Sequence, residues 1–167
     1  MPRSLPKLIE MMAALVATPS VSSPEPAWDQ GNRVVIDLLA NWLETLGFRV
    51  DVMPLAGVAH KANLIATLGG GTGGLILAGH TDTVPFDAGR WSSDPFRLTE
   101  RDDRLYGLGT ADMKGFLALA VEAAVEFAQR PLREPLIIVA TADEESSMAG
   151  AKALVAAGRP RADYALI

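Results

Sequence analysis

An apolar run, Leu75–Ala78, ends in Gly79-His80-Thr81-Asp82. A second, Leu136–Ala140, ends in Thr141-Ala142-Asp143-Glu144-Glu145. Between them Asp112 stands in Gly109-Thr110-Ala111-Asp112-Met113-Lys114-Gly115, where a helical stretch begins. An imidazole and several carboxylates are the residue types that hold zinc, cobalt or manganese. Residues i and i+2 of an extended chain point the same way, so Asp82 can fix the second ring nitrogen of His80, the usual support of a zinc-bound histidine. Glu144 and Glu145 permit a division of labour in which one carboxylate binds metal and the other takes a proton from water. A pair of metals needs a bridging carboxylate, which one well-placed Asp can supply.

Each feature alone has a plainer use. His80-Thr81-Asp82 can be a solvated turn, Asp112 a helix N-cap, and the two glutamates a solvated loop. Their combination is what favours metal chemistry. Competing routes lack parts: there is no Gly-x-Ser-x-Gly elbow and no His-Glu-x-x-His helix. The glycine run Gly69–Gly74 lacks the Gly-Lys-Ser/Thr ending of a phosphate loop and leads into a strand, so it reads as a flexible turn. His60, the other histidine, reads as a surface loop residue with a minor chance of touching substrate.

The elements that must position these groups follow from periodicity. Leu5, Leu8, Ile9, Met12, Leu15 and Val16 repeat at helical spacing before Thr18-Pro19. Arg3 and Lys7 ahead of that stretch resemble a secretion leader, but Glu10 interrupts it and an amphipathic helix fits better. A second helix carries Val34, Val35, Leu38, Leu39, Trp42, Leu43 and Leu46, with Gly47 as its stop. Phe48, Val50 and Val52 alternate as a half-buried strand. Asn63–Leu68 reads as a strand, expected to form a hairpin with Leu75–Ala78 across the glycine run. Thr83–Leu108 is a long, weakly periodic loop with a short strand at Arg104–Tyr106, and loops of that kind are often functional. A helix over Gly115–Gln129, a central parallel strand at Leu136–Ala140, a helix over Met148–Ala157 stopped by Gly158, and a strand from Tyr164 to Ile167 complete the order. The fold class is α/β, a mixed central sheet flanked by helices.

Composition narrows the function classes. The chain has 167 residues, 49% of them hydrophobic and 21% charged, which suits one globular unit with a real core. Its formal net charge of -5 without a basic run disfavours nucleic acid and anionic membranes. An acidic cleft would suit a cationic substrate. With no cysteine, disulfides, thiolate zinc ligands and a thiol nucleophile are excluded. No run is long enough to span a bilayer, and a cytoplasmic location is expected.

The three motifs, Gly79–Pro85, Tyr106–Gly115 and Thr141–Glu145, in this order and spacing, resemble the dinuclear zinc aminoacylase/carboxypeptidase family. The wording of Leu105–Phe116 and Ala142–Ala151 looks most like the branch acting on N-acetyl-L-ornithine. That resemblance implies a zinc-peptidase-like catalytic domain and two Zn²⁺ per complete site, with Co²⁺ possible. It implies His80, Asp112 and Glu145 as metal ligands, Asp112 bridging beside a strained or cis peptide to Met113. It implies Glu144 as general base and Asp82 as the residue orienting His80. The substrate would be a small N-acyl amino acid, the products acetate and ornithine, and the full-length protein a homodimer. Desuccinylation of a diaminopimelate, another N-acyl amino-acid deacylation, and a non-catalytic α/β module are the alternatives. Members of the family are longer, with an inserted lid and dimerisation domain and two later ligands. Residues 1–167 are therefore expected to be the N-terminal portion of a catalytic domain, inactive alone and prone to self-association through an exposed sheet edge.

Overall fold

The computed structural model describes residues 5–167. Arg3, half of the leader-like reading, lies outside the described residues. Helix α1 (Leu8–Val16) and helix α2 (Arg33–Thr45) come first, and Gly47 takes the left-handed conformation (φ +84°) that ends α2. Strands β1 (Arg49–Leu55) and β2 (Val58–Leu68) then form an antiparallel hairpin across Ala56-Gly57. Strand β3 (Leu75–His80) leads into the long loop, which contains a 3₁₀ turn at Ala88–Arg90 and a ribbon of β4 (Thr99–Arg101) and β5 (Arg104–Tyr106). Asp102 and Asp103 both have positive φ at the ribbon's two-residue turn, the geometry that suits twisted hairpins. Helix α3 (Lys114–Phe127), strand β6 (Leu136–Thr141), helix α4 (Ala149–Ala157) and strand β7 (Tyr164–Leu166) follow.

The main sheet has the order β1-β2-β6-β3-β7, with β6 antiparallel to β2 and parallel to β3, and β7 parallel to β3. The expected mixed sheet is present, but the expected hairpin across the glycine run is not. β2 and β3 both flank β6 and never pair with each other. The reason lies in β6. Leu136–Ala140 is buried throughout, and its side chains alternate between two cores. Leu136, Ile138 and Ala140 join Met11, Leu15, Leu39, Leu64 and Leu117 beneath α1, α2 and α3. Ile137 and Val139 pack with Ile65 and Leu154 under α4. A strand apolar on both faces belongs mid-sheet with a partner on each edge, and that place lies between β2 and β3. The central strand is accordingly not purely parallel.

β2 also begins earlier than its apolar run suggests. Val58 pairs with Leu55 and the register resumes only at Ala62 with Pro54, so His60 sits at an exposed, bulged strand position rather than in a loop. At the other edge, Tyr164, Leu166 and Ile167 are exposed. No helix of the described residues is long and apolar enough to cross a membrane.

Candidate metal centre

Parallel pairing of β3 and β6 places His80 beside Thr141, so both strands release their chains at the same sheet edge. That edge is where open α/β sheets bind ligands. Thr81 fastens the two ends: its Oγ1 donates to the Thr141 carbonyl at 2.8 Å and accepts from Asn32 Nδ2 at 2.7 Å. Asp112 arrives from the chain just before α3. That helix starts close to the preceding loop, because a Cβ on Gly115 would stand 2.1 Å from the Thr110 carbonyl oxygen. Asp112 does not cap α3. The N-cap position belongs to Met113 and has no side-chain hydrogen bond. The Asp112–Met113 peptide is cis, as the resemblance implied.

The candidate residues converge. His80 Nε2 lies 2.9 Å from Asp112 Oδ1 and 3.9 Å from Glu144 Oε2. One ligand atom each of His80, Glu144 and Glu145 falls within 4.8 Å of the others, the metal-type cluster found among the described residues. That grouping takes in Glu144, while Asp112 stands beside it with a largely exposed carboxylate. His80, Asp112 and Glu144 open on a cleft of about 780 Å³ that Met113, Ile76, Ala78 and Ala165 also line.

His80 is held at its other nitrogen. Nδ1 donates to the Asp82 backbone carbonyl at 3.0 Å, while the Asp82 carboxylate is 3.6 Å away. Asp82 thus engages Nδ1 through both its main chain and its side chain, and Nε2 faces Asp112 and Glu144. The buried Asp82 side chain has a second engagement. Its Oδ1 accepts from the Glu144 amide at 3.2 Å and its Oδ2 from the Glu145 amide at 3.0 Å. One carboxylate therefore ties the β3 edge to the β6 loop.

The electrostatics of this cluster call for a cation. Burial works against a charged imidazole at His80, but the hydrogen bond and charge of Asp82, with help from Asp112, raise its pKa to about 9. Burial, then repulsion from Asp112, Glu144 and Asp82, pushes the Glu145 carboxyl upward, although His80 opposes this. Burial also opposes ionisation of Asp82, yet the His80 hydrogen bond and the two amides bring it below its ordinary value. One imidazole nitrogen and carboxylates of high charge density make a donor set that fits zinc, cobalt or manganese.

Two lysines near the site carry no local sequence signal. Lys114 is 1% exposed and donates to the carbonyls of Leu15 and Thr18 at 3.0 and 2.6 Å, docking the start of α3 on the end of α1. Burial lowers its pKa to about 8, with the Asp82 charge opposing. Lys61 is 4% exposed and bonds Asp143 and Asp29.

Residues 76–167, which hold the three motifs, match the model for peptidase family M20/M25/M40. The chain belongs to this family. Acetylornithine deacetylase of Pasteurella multocida (strain Pm70) is 54% identical over 165 residues, covering 99% of this chain and 43% of that protein. The enzyme of the same name from Proteus mirabilis (strain HI4320) is 56% identical over 163 residues, covering 98% and 42%. The chain thus spans less than half the length of these curated relatives. Human carnosine dipeptidase 1 superposes with a TM-score of 0.83 at 26% identity, over 95% of this chain and 37% of that one. A tripeptidase from Staphylococcus aureus gives 0.68 at 26% identity, over 95% and 41%. As an M20/M25/M40 member, the chain has the fold of a metal-dependent hydrolase.

Proposed function

We propose that this chain supplies a portion of the catalytic domain of a zinc-dependent deacetylase that hydrolyses N-acetyl-L-ornithine to ornithine and acetate. The observation that carries the reading is the meeting of His80, Asp112, Glu144 and Glu145 at one sheet edge. The substrate follows from relatives named acetylornithine deacetylase at 53–56% identity along essentially the whole chain.

His80, Asp112 and Glu145 would hold the metal, two zinc ions in a complete site, with cobalt an acceptable substitute. When bound, the metal polarises the acetyl carbonyl and makes water a stronger acid. His80 offers Nε2 because Nδ1 is engaged by the Asp82 carbonyl. Glu144, at the cleft wall, takes the proton of the attacking water and returns it to the departing amine. Asp82 acts on both events from behind, through the amides of Glu144 and Glu145. The carboxylate-rich mouth suits the free amino group of the ornithine side chain.

The test is acetate release from N-acetyl-L-ornithine by a protein spanning the relatives' full length, with Glu144→Ala and its bound zinc measured together. Loss of turnover by about 10²–10⁴-fold with zinc retained supports the roles given. Unchanged turnover removes Glu144 from the mechanism, and no release by the unsubstituted protein removes the substrate.

A further inference from the structure

The motif Asp143-Glu144-Glu145 offers three consecutive carboxylates, yet only two of them join His80 in the cluster. The first is engaged elsewhere. Asp143 Oδ1 receives Lys61 Nζ at 2.6 Å and Ser22 Oγ at 3.1 Å. Lys61 Nζ also reaches Asp29 Oδ1 at 2.7 Å, and Asp29 Oδ1 accepts from the Ser23 amide. Ser22 and Ser146 share a hydroxyl–hydroxyl bond, closing the network onto the far side of the loop. Asp143 itself sits in the left-handed region, at φ +59°. A non-glycine residue keeps that conformation when its surroundings hold it there.

The loop is therefore gripped from two sides. Asp82 takes the amides of Glu144 and Glu145, and Lys61 takes the side chain of the residue before them. We infer that Lys61 is a positioning residue for the metal centre: by holding Asp143 it fixes the backbone turn that aims Glu144 and Glu145 at His80, and it keeps Asp143 from competing as a ligand. Part of this inference, the consequence for metal, rests on the deacetylase reading; the clamp on the loop does not. The strength of the clamp comes from burial. One ammonium is enclosed with two carboxylates, and such a pair is costly to break because the surviving charge is stranded.

Lys61→Met deletes the ammonium and keeps most of the apolar stem. The experiment measures amide hydrogen exchange by NMR and Zn²⁺ affinity by calorimetry, on the same protein, beside Lys61→Arg and His80→Ala. The expected result is exchange about 10–100-fold faster at Glu144 and Glu145 in Lys61→Met, with the Leu136–Thr141 amides still protected. Zn²⁺ binding should weaken by about 10–100-fold, the usual effect of losing a group that supports a ligand. Lys61→Arg should restore most of both. Unchanged exchange at Glu144 and Glu145 overturns the inference. Faster exchange with unchanged Zn²⁺ affinity overturns its metal half. Zn²⁺ affinity indifferent to His80→Ala overturns the metal-centre reading instead and leaves the exchange result to judge the clamp. Should Lys61→Met also expose the β6 amides, Asp143→Asn decides: it keeps the size of the acceptor and removes its charge, and unchanged exchange there overturns the inference.

Discussion

The Oδ2 atom of Asp82 lies 3.0 Å from the backbone nitrogen of Glu145, joining the loop after β3 to the loop after β6. Hydrogen bonds to a buried ionised acceptor are stronger than neutral ones, and two of them end on this side chain. Asp82→Ala leaves both amides without a partner. It should cost about 1.5–3 kcal/mol of folding stability. Asp82→Asn keeps one acceptor oxygen and should cost less. Urea unfolding of the metal-free proteins gives both numbers, and an alanine variant as stable as the parent would show that water replaces the carboxylate.

In the metal-free protein, His80 has a pKa raised from 6.5 to about 9. The folded state then holds a proton that the unfolded state releases first. The resulting stability is fully present below pH 6.5 and is lost as pH rises through about 9. Metal-free protein should therefore weaken across that window, and His80→Gln should flatten the loss. Metal affinity should run the other way, since a ligating imidazole must give up its proton. Denaturation series and zinc titrations at matched pH values check the opposite slopes.

Lys114 is enclosed by the carbonyls of Leu15 and Thr18. Lys114→Met fills similar volume but takes the donor from the Thr18 carbonyl, while the Leu15 carbonyl keeps the Thr18 amide. About 1–3 kcal/mol should be lost per carbonyl that water cannot reach. The loss should be accompanied by weaker zinc binding, because Asp112 hangs from the same helix start. Thermal unfolding with and without zinc separates the two effects.

Gly150 packs against Asn63 of β2 and Ala142, just past the end of β6, with no room for a side chain. A Cβ there would lie 2.4 Å from Asn63 Oδ1 and 2.5 Å from the Ala142 carbonyl oxygen. Those atoms belong to a bridge in which Asn63 donates to the Gly150 carbonyl and accepts from the Ala142 amide. Gly150→Ala must push α4 off the sheet, with an expected loss of about 1–3 kcal/mol or more. Gly70→Ala meets nothing within 4 Å and should be neutral within about 0.5 kcal/mol. Chemical denaturation of the pair tests the contrast.

The short-range structure was legible because it repeats at short range. The helical periodicity of Val35, Leu39 and Leu43 and the glycine stops at Gly47 and Gly158 marked α2 and α4 correctly. The site was legible as well, since two apolar runs each ended in donor residues and the structure brings those ends together. What escaped was pairing between distant segments. The glycine run invited a hairpin, and nothing local in Asn63–Leu68 or Leu75–Ala78 says that a later strand will come between them. Lys61 escaped for the same reason. A lone lysine in a strand looks like any edge charge until Asp29 and Asp143, far away in the chain, are folded against it. Asp82 was expected to orient His80 with its carboxylate. Its backbone carbonyl, 3.0 Å from Nδ1, joins the carboxylate at 3.6 Å, and that second acceptor is one that spacing alone does not encode.

The place of β6 between β2 and β3 has a kinetic side. During synthesis or refolding, β3 emerges before the strand that must sit beside it, and its edge stays open until α3 and β6 have been made. Pairing of β6 has to satisfy β2 and β3 together, so contacts of long sequence separation close at nearly one moment, a slow kind of step. The same step brings Glu144 and Glu145 to His80. The donor cluster should therefore be absent from early collapsed states and form with the last cooperative docking of the sheet. Metal added at the start of refolding would find no site to nucleate and should leave the folding rate nearly unchanged while slowing unfolding.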